Sequence, residues 1–473
     1  MNLPRAARLA APAVAVLLAA CAVGPDYSRP AATTPSAYKE TADWALARPA
    51  DTAPKGKWWE VFADPVLNAL MEQVSVSNQT LKAAEASYRQ ARAAVQSARA
   101  AFFPTLGASA GATRSGGGGN AGNGSNGTAS TGRRYDVSLD AGWEVDLWGR
   151  IRRLVEAARA GEQASAADLE AARLSLQGEL ATNYFQLRVT DAQRVLLEDT
   201  VKAFQRSYEV TQNRYRAGVA GKADVVQAEA QLKSTQAQLI DLRATRAQLE
   251  HAIAVLVGKP PALFTLASAD IQARLPAIPP GLPSTLLERR PDIAAAERRV
   301  AAANANIGVA EAAYFPRLSL SASGGFASNA LSTLFSAPNR AWSLGIGLAD
   351  TILDFGARSA DVESARAAYD QAVANYRQSV LVGFQEVEDD LATLHWLAEE
   401  AEVQRDAARA ARESVTLELN QYKAGTVSFL NVVEVQATQL SEERNTVTLL
   451  GRRLAASIAL IRALGGHWEP PAP

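Results

Sequence analysis

The chain has 473 residues, with 48 Lys and Arg against 49 Asp and Glu, giving a formal net charge of -1. That balance excludes a basic footprint for nucleic acid, and a single cysteine, Cys21, excludes an intramolecular disulfide. Abundant alanine, with Leu, Val, Gln, Glu and Arg around it, favours long helices.

Arg5 and Arg8 precede an apolar stretch from Leu9 to Ala20, broken only by Pro12. The stretch is shorter than the about 20 residues of a membrane-spanning helix and reads as an export signal. Its end, Leu18-Ala19-Ala20-Cys21, resembles a bacterial lipobox, in which Cys21 is lipidated on sulfur and becomes the mature N-terminus. A plain secretory signal with a stray cysteine is the alternative. Several acyl chains, at roughly 0.8 kcal/mol per buried methylene, hold such a chain firmly to a bilayer. Ala22, and not an aspartate, follows the cysteine, which favours sorting to the outer membrane.

The segment from Pro65 to Phe103 is helical in pattern, and Pro104 ends it by breaking the hydrogen-bond ladder. Leu106, Ala108 and Ala110 form a weak strand pattern that enters a loop of Gly, Asn, Ser and Thr at 115–132. Tyr135, Val137, Leu139, Ala141, Trp143, Val145 and Leu147 then alternate with Asp136, Ser138, Asp140, Gly142, Glu144 and Asp146, a strand with one apolar and one acidic face. From Ile151 to Ala217 only Gly161 and Gly178 interrupt a helical stretch that could span roughly 100 Å, a length that points to coiled-coil packing. A tight turn and a second helix follow. The same plan then recurs. Phe103-Pro104 is answered by Phe315-Pro316, Asp146 and Arg150 by Asp354 and Arg358, and Tyr215-Arg216-Ala217-Gly218 by Tyr422-Lys423-Ala424-Gly425. The second copy has strands at Leu318, Leu320, Ala322 and at Trp342, Leu344, Ile346, Leu348, and a long helix from Arg358 to Ala424. The predicted division is a signal at 1–20, a lipidated arm at 21–64, repeat one at 65–257, a proline-rich linker at 258–291 and repeat two at 292–473.

Strands of about ten alternating residues suit a transmembrane barrel, apolar to lipid and polar to lumen. Phe102, Phe103, Trp148, Tyr314, Phe315 and Phe355 fall at the helix–strand junctions, where an interfacial aromatic girdle belongs. A soluble sheet packed on helices is the alternative. Four strands leave two raw edges, and each unpaired backbone group in lipid costs several kcal/mol. Known barrels need about eight strands or more, so the chain must pool its strands with other copies. Twelve strands from three copies would enclose a pore, but pattern alone does not choose three over two or four.

Together these features resemble the TolC-type outer-membrane efflux proteins, in particular the NodT-like lipoprotein subgroup serving resistance–nodulation–division (RND) pumps. The marks are Cys21-Ala22-Val23-Gly24-Pro25-Asp26-Tyr27, Trp58-Trp59 with Phe62 and Asp64-Pro65, Pro280-Gly281-Leu282-Pro283-Ser284, and Leu286-Leu287-Glu288-Arg289-Arg290-Pro291-Asp292-Ile293. The resemblance covers essentially the whole mature chain. It implies a mainly helical fold, with a periplasmic α-helical tunnel and four strands per chain in a homotrimeric, twelve-stranded β-barrel. The implied function is the outer-membrane channel of a tripartite efflux pump, a passive exit for drugs or other small molecules. A periplasmic adaptor, an inner-membrane RND pump and outer-membrane lipid are the implied partners, with no cofactor. The turns around Gly218 and Val219, and around Gly425 and Thr426, match the family's periplasmic tips, where adaptor hairpins dock. Leu430 and Glu434 match its periplasmic constriction, and Asn431 stands where some members have Asp. A ring of Glu434 would favour cations. The alternatives are a plain helical hairpin, and an acid near a helix N-terminus favoured by the dipole alone.

No enzyme constellation is legible. Gly107-Ala108-Ser109-Ala110-Gly111 matches a nucleophile elbow but lies in a strand entering a glycine-rich loop. Gly117, Gly119 and Gly122 mimic a dinucleotide motif without a helix to follow. Asn123 and Asn126 sit in sequons that a loop of this composition shows by accident, and His251, His395 and His467 form no metal-ligand pattern. The competing reading from another class is a trimeric coiled-coil adhesin, which the two repeats with helices on both sides of each strand pair argue against.

Overall fold

The computed structural model describes residues 22–39, 56–116, 131–271, 275–276 and 289–466. The signal at 1–20, Cys21, the Gly-rich loop at 117–130, the linker run 277–288 and His467 lie outside them. In chain order the elements are α1 (Pro65–Ser77), α2 (Gln79–Ala100), β1 (Thr105–Gly116), β2 (Thr131–Val145), α3 (Arg150–Arg216) and α4 (Lys222–Leu256). The second half brings α5 (Pro291–Glu311), β3 (Arg317–Ser328), β4 (Arg340–Ala349), α6 (Ala357–Ala424) and α7 (Phe429–Ala463). The chain forms two compact units, Met1–Ala31 with Ser87–Ser165 and Ala296–Tyr376, and Ala32–Ala86 with Ala166–Ala295 and Arg377–Pro473. Each unit draws on both copies of the repeat.

The first unit holds a four-stranded sheet of order β1-β2-β3-β4, antiparallel throughout. The register aligns the alternation of every strand. Leu106 lies opposite Ala141, Ala141 opposite Ala322, and Ala322 opposite Leu344, so one face is apolar from edge to edge. The other face carries Ser109, Asp136, Ser138, Asp140, Glu144, Ser319, Ser321 and Ser323. The sequence reading made β1 and β3 the weaker strands, yet each has 12 residues. Their ladders run the length of β2, and backbone pairing needs no bulky side chain.

The second unit is a helical hub. Asp64 is the N-cap of α1, its Oδ1 accepting from the amides of Val66 (2.9 Å) and Leu67 (3.1 Å), with Pro65 in the first turn. The spacing of Leu67, Leu70, Met71 and Val74 then gives one apolar stripe. That stripe is buried in a cluster with Trp58, Trp59 and Phe62, with Leu180, Tyr184, Phe185 and Leu187 of α3, and with Leu454, Ile458 and Ile461 of α7. Tyr184 donates its hydroxyl to Asp64 Oδ2 at 2.6 Å, so one carboxylate caps α1 and anchors α3. The predicted unbroken helix from Pro65 to Phe103 is divided at Asn78. Asn78 accepts from the amide of Leu81 (2.9 Å) and donates to the carbonyl of Leu256 (2.8 Å), so a distant contact rewards the break.

No helix among the described residues is long and apolar enough to cross a membrane. The sheet exposes a run of large apolar residues, with Leu106, Trp342, Leu344, Ile346 and Leu348 each 70–76% exposed.

Candidate functional site

Three regions concentrate the aromatic, turn-forming and charged features of the described residues, and each starts from local sequence. The first is the sheet and its foot. At the helix end Trp143 donates its indole N–H to the carbonyl of Phe102 (3.0 Å), and Trp148 donates to that of Pro316 (2.8 Å) while its ring stacks on Phe315 at 4.8 Å. Phe103 and Phe355 are 68% and 93% exposed at the same junctions. Aromatic rings with an apolar body and a satisfied polar tip suit a bilayer boundary.

The repeated Asp-x-x-x-Arg mark opens each long helix. Asp146 accepts from the amides of Ile151 and Arg152, both at 2.9 Å, and Asp354 accepts from those of Gly356 (3.0 Å) and Arg358 (3.3 Å). The arginine partners differ between copies. Arg358 pairs with Asp354, whereas Arg150 forks onto Glu144 of β2, and Asp146 takes Arg152 instead. The first copy has an acid on the preceding strand, and the second has Ile352 in that place.

The N-terminal strap lies on the same unit. The amide of Val23 donates to the carbonyl of Trp148 (3.0 Å), and the buried guanidinium of Arg153 donates to the carbonyls of Val23 and Gly24 and to Asp26. Gly24, at φ +96°, passes so near Gly308 of α5 that a Cβ would lie 2.3 Å from its Cα. Asn304 donates to the carbonyl of Pro25, and Tyr27 to Glu297. Burial first, and the Glu297 carboxylate second, push the Tyr27 phenol well above its ordinary range.

The second region is the pair of turns. Gly218 and Gly425 both take φ +78°, open to any side chain sterically but strained for anything except glycine. The amide of Val219 reaches the carbonyl of Arg214 (3.0 Å) and that of Gly218 the carbonyl of Tyr215 (2.9 Å). Thr426 to Gln421 (3.1 Å) and Gly425 to Tyr422 (3.0 Å) repeat the arrangement, so both helices close in the same Schellman motif. Arg214 ties the hairpins together: it donates to the carbonyl of Tyr422 (3.2 Å) and lies 4.5 Å over its ring, which in turn is 5.3 Å from Phe429. Arg214 escaped the sequence reading, although a basic residue in the last turn of a helix was the signal to follow. On α7, Phe429, Val432, Val433 and Gln436 are buried, while Leu430, Asn431 and Glu434 share the exposed face. The Ser428 hydroxyl donates to the Asn431 amide oxygen at 3.0 Å.

The third region is a cavity of about 500 Å³ in the hub, lined by Arg290, Asp292, Glu386, Asp389, Asp390 and Arg462 among others. Arg290 forks onto Asp292 (3.0 and 2.7 Å) and pairs with Glu386. Burial works against its charge, yet the two carboxylates hold it protonated beyond its ordinary range. Burial pushes the Asp390 carboxyl up to about 7, and Glu386 and Asp389 add to the shift against Arg462 and Arg290.

A family model described as outer membrane efflux protein matches residues 70–259 and 282–466. The chain is 30% identical over 460 residues to the cation efflux system protein CusC of Escherichia coli O6:H1, across 96% of this chain and 98% of that one. It is 32% identical over 466 residues to the solvent efflux pump outer membrane protein SrpC of Pseudomonas putida, across 96% and 97%. Its structure is similar to that of the outer-membrane channel OprN, with a TM-score of 0.86 and 34% identity over 95% of this chain and 100% of that one. The open state of the Neisseria gonorrhoeae MtrE outer membrane channel gives 0.82 and 30%, over 94% and 98%.

Proposed function

This chain belongs to the outer membrane efflux protein family, and on that premise we propose that three copies close around one passage to form the exit duct of a tripartite pump. The observation that carries the reading is the sheet: its order leaves β1 and β4 as edges, and one face is apolar from Leu106 across to Leu344 and Leu348, with exposed leucines, isoleucine and tryptophan on β4. In lipid two raw edges would cost tens of kcal/mol, so the β4 edge of one copy pairs with the β1 edge of the next. Twelve strands then exceed the roughly eight that a filled barrel needs and leave a lumen, with Asp136, Asp140 and Glu144 on its inner face.

The remaining assignments follow from that closure. Cys21 carries the lipid anchor, and the division into two repeats about a linker at 258–291 gives each copy two strand pairs. The turns at Gly218, Val219, Gly425 and Thr426 receive the periplasmic adaptor, which joins the duct to an inner-membrane RND pump. The exposed face bearing Leu430, Asn431 and Glu434 turns toward the threefold axis, where a ring of three carboxylates above an apolar collar forms the resting gate. Drugs or other small molecules pass without chemical change, driven by the pump.

The test is planar-bilayer conductance of the purified, lipidated protein, with its stoichiometry measured by cross-linking. A cross-linked trimer that conducts supports the duct. A trimer that never conducts favours a coiled-coil anchor instead, and a stable water-soluble monomer removes the reading altogether.

A further inference from the structure

The outward face of the sheet is charged at one end only. On β1 and β2 it terminates in Arg114 opposite Arg133, one alternate position beyond Ala112 and Tyr135. On β4 it terminates in Arg340, one alternate position beyond Trp342. All three arginines are exposed. None of their side chains has an ion pair or a hydrogen bond among the described residues, whereas most helix-opening arginines of this unit are paired, as with Arg150, Arg152, Arg153 and Arg358. The carboxylates nearest Arg114 and Arg133 in sequence, Asp136, Asp140 and Glu144, stand on the opposite face and cannot neutralise them, and Asp350, nearest Arg340, pairs with Arg358 at the helix end.

Like charges directly opposite on neighbouring strands repel, so Arg114 facing Arg133 calls for an anion from outside the chain. The helix end of the same face has no counterpart: it runs out in Leu106, Val145, Leu318 and Leu348, and Arg317 belongs to the other face. Phe335, with its ring 5.4 Å from that of Phe326, adds an aromatic at the loop end, so Arg114 and Arg133 lie just beyond Tyr135 and Arg340 lies beyond Trp342, level with Phe326.

We propose that Arg114, Arg133 and Arg340 form a cationic rim that binds the phosphate groups of the glycolipid headgroups in the outer leaflet. The inference rests on the duct reading, which sends the helices to the periplasm and therefore turns the loop end of the sheet outward. A guanidinium forks onto phosphate through parallel hydrogen bonds, and a charge on the lipid-facing side is tolerated at the interface as it is not at the midplane. Closure of the barrel also sets the β4 strand of each copy beside β1 of the next, so Arg340 and Arg114 stand on neighbouring strands at every junction between copies. The bound headgroup then bridges two protomers.

The experiment uses the full-length assembly in detergent, with native mass spectrometry of bound diphosphorylated lipid A and of the same lipid stripped of its phosphates. The wild type is expected to prefer the phosphorylated lipid by about tenfold or more. The R114Q/R133Q/R340Q variant loses that preference, R114K/R133K/R340K keeps part of it, and Arg134→Gln on the inner face keeps all of it. Should the triple Gln variant fail to assemble, Arg340→Gln alone reads the same effect, a partial loss of about threefold. Equal binding of the two lipids, an unchanged preference in the Gln variants, or full displacement by excess inorganic phosphate overturns the lipid rim. A wild type that conducts but shows no preference overturns the rim alone, while one that neither assembles nor conducts overturns it together with the duct beneath it.

Discussion

The hub and the sheet use the same apolar residues to opposite ends. In the hub Phe62, Leu67, Met71, Val74 and Leu187 have no exposed surface at all, whereas Leu344 and Ile346 of β4 expose about three quarters of theirs. The hub is finished by its own chain: its helices present stripes of 3.6-residue period that meet in one cluster. The sheet has period two, leaves the apolar residues of β4 exposed, and ends in two open edges. The hub answers to water and the sheet to a surrounding that water does not fill, so each fails under a different insult.

The largest expected effect lies in the hub. Phe62→Ala removes a ring packed 5.0 Å from Phe185 and should cost about 3–5 kcal/mol, seen as a lower thermal midpoint of the helical signal; an unshifted midpoint would mean that the cluster is not the hub's core. Next, Leu344→Arg should cost about 2–4 kcal/mol per copy in a bilayer. Cross-linking should then no longer trap the proposed oligomer while the helical midpoint in detergent stays put, and an oligomer that survives would show that β4 does not face lipid. A smaller effect comes from the turns. Gly425→Val places a β-branched residue at φ +78° and should cost about 1–2 kcal/mol, read as faster proteolysis at that turn with sheet and hub unchanged.

The smallest is a pH effect on the hub alone. Asp390 has its carboxyl raised to about 7, above the unfolded value of 3.8. The native fold therefore prefers it protonated, and the stability this gives is full below the unfolded value and lost as pH rises through about 7. Asp390→Asn should match the wild type at pH 4 and melt higher at pH 8, by about 1 kcal/mol once solvent screening of this half-open site is allowed for. A difference that grew toward acid would reverse the assignment.

Much of this architecture can be read from local pattern, and the exceptions have a common cause. Strict alternation from Tyr135 gives β2, and Tyr-x-Ala-Gly repeated at Gly218 and Gly425 gives both turns, because strand period and left-handed glycine are local properties. The end of β2 was read two residues too far, to Leu147, since nothing local says that Asp146 leaves the ladder to accept the amides of Ile151 and Arg152. The break at Asn78 depends on Leu256, 178 residues away, and no sequence window contains both. Arg214 over Tyr422 is invisible for the same reason. Leu430, Asn431 and Glu434 were assigned by resemblance, and a single chain adds only that they share the outward face of α7. Under the proposed closure, what they meet there belongs to other copies, hence to no pattern within one.

The glycine contact between Gly24 and Gly308 has a mechanical consequence. With Arg153 gripping two carbonyls on one side and Asn304 holding a third on the other, the peptide just after Cys21 has no slack. One residue adds only about 3.5 Å of reach, so the anchor proposed at Cys21 would be tethered through Val23 to Trp148 at the foot of the sheet. Acyl chains on Cys21, as proposed, would therefore act as a rivet and not as a loose leash.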